Sequence, residues 1–177
     1  MPIEICFHLL RTFENFKHLH AGMLSDIKRK SLPEIAKAVG LHDAQPLQNF
    51  LTNSPWSVED SRDRRLELTL LMLEGRSFKL VIDETGDKKK GKHTDYVARQ
   101  YIGNLGKVDN GIVSVNAYGV LGDLTFPLIF LIYKLRKRLE VGGVYKTKPQ
   151  LADEIIEALL KLGFNFYLVL ADSLYGD

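Results

Sequence analysis

Apolar residues in the first 75 positions recur at helical spacing, and those after position 78 gather into short, dense runs. Cys6, Leu9, Leu10, Phe13 and Phe16 predict an opening helix. Ser31 then precedes a short helix that places Leu32, Ile35, Ala36 and Val39 on one face, with Gly40 as its stop. After a break through residues 41–46, Leu47, Phe50 and Leu51 mark another short helix. Two short helices around a Gly-containing turn are compatible with a helix-turn-helix, and equally with any small helical bundle. A further helix has clear ends: Ser57 and Asp60 form a capping-box pattern, Leu66, Leu70 and Leu73 a buried stripe, and Gly75 the stop.

From Phe78 the period shortens. Residues 78–82 predict a strand ending on Asp83, 111–121 a second strand rich in β-branched and aromatic residues, and 124–133 a third after the Gly122-Asp123 turn. Pro127 assigns that third strand to an edge or a bulge. Thr147 caps a helix with Pro149 in its first turn and Leu151, Ile155, Leu159 and Leu162 facing a core. Residues 166–170 form a continuous apolar run, as in a strand buried on both faces, and end on Ala171-Asp172. The expected fold class is α/β: a helical region over 1–76, a candidate DNA-binding region, followed over 77–177 by a mixed β-sheet core in the order β-β-β-α-β. A helical crossover brings the last strand parallel to the first, and Asp83 and Asp172 to one edge of the sheet.

Composition narrows the setting. With 45% hydrophobic and 26% charged residues the chain has the make-up of a soluble globular protein. A lone cysteine excludes an intrachain disulfide, no signal peptide is evident, and the run at 124–133 is too short to span a bilayer; a cytoplasmic location is expected. The net charge of +2 says little, but its distribution says more. Residues 88–107 and 134–148 each hold six Lys/Arg against one acid, and such blocks can meet phosphates or simply face solvent.

Two aspartates at neighbouring strand ends can share Mg²⁺ or Mn²⁺, because hard divalent ions take a few carboxylates, water and substrate phosphates. Two such ions can activate the attacking oxygen and stabilise the leaving one at phosphorus. Asp also ends strands simply as a turn former. Glu84 and Asp87 belong to a turn in this reading, with Glu84 aimed away from Asp83, and His93 takes a loop role. Residues 86–93 nearly spell a phosphate-binding loop, Gly-x-x-x-x-Gly-Lys-His. His93 supplies no hydroxyl for a metal, however, and residues 96–104 lack a helical stripe, so no nucleotide cofactor is expected.

Several blocks resemble bacterial insertion-sequence transposases of the Asp-Asp-Glu class. They are Val81-Ile82-Asp83-Glu84-Thr85-Gly86, Lys89-Lys90-Gly91-Lys92, Ala98-Arg99-Gln100-Tyr101, Gly103-Asn104-Leu105-Gly106-Lys107 and Leu170-Ala171-Asp172-Ser173-Leu174-Tyr175-Gly176. Upstream, Leu47-Gln48-Asn49-Phe50-Leu51 and Ser54-Pro55-Trp56 are similar to that family's helical N-terminal region, with Ser57 where Asp often follows. The likeness covers roughly residues 25–177. It implies an incomplete ribonuclease H-like core with Asp83 and Asp172 as the first two catalytic, metal-binding acids. It also implies Mg²⁺ or Mn²⁺ as cofactor (two ions in a complete site), and terminal inverted repeats and target DNA as partners. A homo-oligomer, a nucleoid-associated location, and Lys88, Lys89, Lys90, Lys92 and Arg99 as DNA contacts follow from the same likeness.

The departure is the third acid, a Glu that the family carries well downstream of the second Asp. The chain is therefore expected to be C-terminally truncated, unable to cleave DNA alone, and left with exposed apolar surface around 166–170. Two alternatives stay open: a non-catalytic DNA-binding fragment, and another ribonuclease H-like nuclease.

Overall fold

The computed structural model describes residues 10–91 and 93–175, and the chain divides into two compact units, Met1–Thr69 and Leu70–Asp177. Cys6, Leu9 and Lys92 lie outside the described residues.

The first unit contains α1 (Leu10–Leu24), α2 (Leu32–Ala38), α3 (Gln45–Asn53) and most of α4 (Val58–Leu73). Gly22 of α1 lets α2 approach closely: a Cβ there would stand 2.3 Å from Ile35 Cγ2. Ile35, Ala36 and Leu47 form the core, lined by Leu19, Ile27, Leu32, Leu41 and Ala44. Phe50 stacks on Trp56 with ring centroids 5.4 Å apart. Gly40 and Gly75, the expected helix stops, have φ of +77° and +75°, a region open to glycine at no steric cost. The Ser57 hydroxyl accepts from the Asp60 N–H at 2.9 Å, the expected cap.

The second unit is one mixed sheet with a helix on one face. Its elements are β1 (Phe78–Lys88), β2 (Ala98–Ile102), β3 (Lys107–Leu121), β4 (Leu124–Tyr133), α5 (Lys148–Lys161) and β5 (Phe166–Ala171). Strand order is β2-β3-β1-β5, with β4 also on β3. Gly111 pairs with Lys88 of β1 and Ala98 of β2, so β2 and β1 flank opposite edges of β3. The β1–β5 pair is parallel and the others antiparallel, as expected from a helical crossover between the first strand and the last.

Alternation explains which face is covered. Phe78, Leu80 and Ile82 of β1 are buried, as are Val113, Val115 and Ala117 of β3 and Leu151, Ile155 and Leu159 of α5. The α5 cap is a full capping box: the Thr147 hydroxyl accepts from the Gln150 N–H, and the Gln150 side chain accepts from the Thr147 N–H. Pro127 falls where the β3–β4 register shifts, on a strand that among the described residues pairs with β3 alone, as its chemistry requires.

Four expectations need correction. β1 does not end at Asp83 but runs on to Lys88, because β3 continues to pair with it where β5 has stopped. A fifth strand, β2, joins the order; Gln100 occupies its inward row and hides the period, its amide donating to the Gly111 carbonyl at 3.0 Å. Leu162 is 41% exposed rather than core-facing, since it caps α5 instead of continuing it. β5 is not buried on both faces: Tyr167, Leu168, Val169 and Leu170 are all exposed, in line with the expected apolar surface there. Among the described residues β5 pairs with β1 alone.

Candidate active site at the end of the parallel strand pair

Register brings the two aspartates together. Ile82 pairs with Ala171 in the parallel β1–β5 ladder, so Asp83 and Asp172 each follow the last paired position, one on a strand that continues and one where a strand stops. Across β1's other edge Asp83 faces Asn116 of β3. Both aspartates are exposed.

Each carboxylate has one oxygen engaged locally. Asp83 Oδ1 accepts from the Glu84 N–H at 2.8 Å, and Asp172 Oδ1 from the Ser173 N–H at 2.6 Å and the Ser173 hydroxyl at 3.2 Å. These bonds orient the side chains, and no described residue hydrogen-bonds to either Oδ2. Two exposed oxygens at one strand level are the hard-donor set that a divalent ion accepts alongside water and phosphate. Among the described residues no group of three His, Cys, Asp or Glu could hold a metal. The pair fits such an ion as a partial ligand set.

Glu84 turns the other way, as expected from strand alternation. It is half-buried on the α5 side, where Lys148, the first residue of α5, forms an ion pair with it. Lys148 also lies 5.6 Å from the Tyr133 ring centroid. The N-terminus of α5 is thereby tied to the residue next to Asp83.

Tyr175 was not anticipated. It lies in the 3-10 turn Ser173–Tyr175 and its N–H donates to the Asp172 carbonyl at 2.9 Å. Its hydroxyl is buried and finds no hydrogen-bond partner among the described residues. Burial, then the charges of Glu84, Asp83 and Asp172, push its pKa up to about 12. One phenol thus lies within electrostatic reach of all three carboxylates, which strand register gathers here. The motif Asp172-Ser173-Leu174-Tyr175 was the available signal, but spacing alone does not fold a tyrosine back toward the preceding strand.

The expected DNA contacts are unequal. Lys88 is paired with Asp109 at 2.7 Å and Lys89 with Asp87, whereas exposed Lys90 and Arg99 have no acidic partner among the described residues. His93 is exposed in the loop before β2, and a strand rather than a helix follows the 86–93 segment.

Residues 6–177 match the family described as DDE superfamily endonuclease. The chain belongs to that family. Over 168 residues it is 61% identical to a protein of Microchaete diplosiphon named as the probable transposase for insertion sequence element IS701. The match covers 95% of this chain and 44% of that protein, so the chain spans less than half the length of this relative. No solved structure matches it. No helix among the described residues is long and apolar enough to cross a membrane.

Proposed function

We propose that this chain forms the first part of a transposase catalytic core, cutting DNA at the ends of a mobile element and joining them to a target. The observation that carries the reading is the Ile82↔Ala171 register, which sets Asp83 and Asp172 side by side on parallel strands. In this role the two aspartates are catalytic and would hold Mg²⁺ or Mn²⁺, an ion that would supply charge stabilisation for in-line displacement at phosphorus. The Glu84 and Ser173 amides orient the Asp83 and Asp172 side chains for that role.

The helical first unit binds the element's terminal inverted repeats, and Lys88, Lys89, Lys90, Lys92 and Arg99 touch backbone phosphate, with Lys90 and Arg99 the freest of those described. The protein acts in the bacterial cytoplasm at the nucleoid, as an oligomer that holds both DNA ends. Titration with Mn²⁺, followed by water-proton relaxation, tests the site. Loss of a residue that touches the ion should weaken binding at least as much as loss of one that only hydrogen-bonds to a ligand, about 10–100-fold, in Asp83→Asn and in Asp172→Asn. Equal Mn²⁺ affinity in wild type and both variants would remove the metal assignment.

A further inference from the structure

The second basic block, residues 134–148, is not part of the site described above. It leaves β4 at Tyr133, which pairs with Val113, and Val113 pairs with Gly86, three residues beyond Asp83. The block therefore departs from the same end of the sheet as the two aspartates, two strand spacings or roughly 10 Å across from β1 and three from β5. It returns at Lys148, whose ammonium meets Glu84, the neighbour of Asp83.

This connection has a preset shape. The Tyr133 and Tyr145 hydroxyls hydrogen-bond at 2.7 Å and close its base. Arg138 donates to the Thr94 carbonyl at 3.1 Å, and Lys134 pairs with Asp95 at 3.2 Å, so the loop is pinned to the segment before β2. Turns closed by Arg138 N–H to Leu135 and Gly143 N–H to Glu140 fix the backbone between.

Charge is left over after these contacts. Lys134, Lys146 and Lys148 are each matched by an acid, namely Asp95, Glu154 and Glu84. Arg136, Lys137 and Arg138, consecutive on one 3-10 turn, form no ion pair among the described residues; Arg138 lies in the field of Asp95, and Arg136 and Lys137 are exposed. Arg136 is held 4.5 Å over the Tyr145 ring, which keeps its guanidinium in place without neutralising it. Three adjacent cations on a fixed turn repel one another unless a polyanion lies against them.

We propose that Arg136, Lys137 and Arg138 form a second phosphate-contact strip, which grips the backbone of duplex DNA as it crosses the aspartate end of the sheet. The inference rests on the transposase reading and adds a DNA path on the β4 side, opposite β5. Guanidinium groups suit phosphate through paired N–H donors, and contacts of this kind position DNA without reading its sequence.

The test is fluorescence anisotropy of a labelled duplex across a salt series, using the full chain. Arg136→Ala/Lys137→Ala removes two contacts. At about 0.9 in log–log slope per phosphate, the affinity lost between roughly 50 and 200 mM salt should shrink by about tenfold relative to wild type. Lys137→Glu, which touches nothing internal, should weaken binding in the same direction and guards against a folding artefact in the double variant. Lys161→Ala, at the other end of α5, should leave the slope unchanged. If wild type binds duplex with a clear salt slope and both loop variants keep it, the strip is refuted and the transposase reading stands. If wild type shows no salt-dependent duplex binding, the DNA reading fails and takes the strip with it.

Discussion

Phe78 is the point at which the sheet's stability and the geometry of its aspartates meet. It opens β1, is 0% exposed, and sits among Phe126, Phe164 and Phe166 at centroid distances of 5.4, 6.2 and 5.9 Å. It also pairs with Phe166 just before the β1–β5 register shifts, so it anchors the ladder that later delivers Asp83 and Asp172. Phe78→Ala removes a fully buried ring and leaves a cavity between three aromatic neighbours, which costs about 3–5 kcal/mol. Each ring pair adds about 0.5–1.5 kcal/mol beyond area burial, which favours the upper half of that range. For a unit of this size the loss corresponds to a fall in Tm of roughly 12–25 °C. It is also a large share of the roughly 5–15 kcal/mol that a domain has in total. Urea unfolding of wild type, Phe78→Ala and Tyr167→Ala measures it. Tyr167 is 65% exposed on β5, so its truncation should stay within about 0.5 kcal/mol. A Phe78→Ala cost below about 1 kcal/mol, or a Tyr167→Ala cost equal to it, would show that the core is not where the structure puts it.

Two further outcomes follow from local geometry. Gly111→Ala should destabilise by about 1–3 kcal/mol in urea unfolding, because the added methyl would stand 2.4 Å from the Asp87 carbonyl oxygen and 2.6 Å from Ile102 Cδ1. Gly91→Ala, whose methyl meets open space, is its neutral control. Burial first, and then the hydrogen bond with Tyr145, raise the Tyr133 pKa from 10.0 to about 12. Its stabilising contribution is thus full below pH 10 and is lost as pH rises through about 12. Ultraviolet titration should show two late-ionising tyrosines, Tyr133 and Tyr175, of which only Tyr133 shifts down in Tyr145→Phe; an unchanged titration would remove the clasp at the base of the basic loop.

The elements themselves were legible in the sequence wherever one period dominated. The span of β4, the cap at Thr147, the glycine stops at positions 40 and 75, and the edge character of Pro127 all depend on local sterics and hydrogen bonding, which neighbours in sequence specify. Family membership was legible too, since it rests on blocks of consecutive residues. The extent of β1 was not: residues 83–88 are polar and turn-like, and only pairing with β3 holds them extended. β2 was hidden because Gln100 fills an inward position, its side-chain N–H donating to a carbonyl eleven residues away. The convergence of Tyr175 on the carboxylates, the matching of Lys88 and Lys89 by acids, and the unmatched charge at 136–138 are long-range electrostatic facts. Local sequence determined that Asp83 and Asp172 stand where apolar runs stop, although β1 itself continues past Asp83 to Lys88. Only tertiary structure decided that those positions are neighbours, because the register of a parallel pair is set by the packing of Phe78, Leu80 and Ile82 rather than by either strand alone.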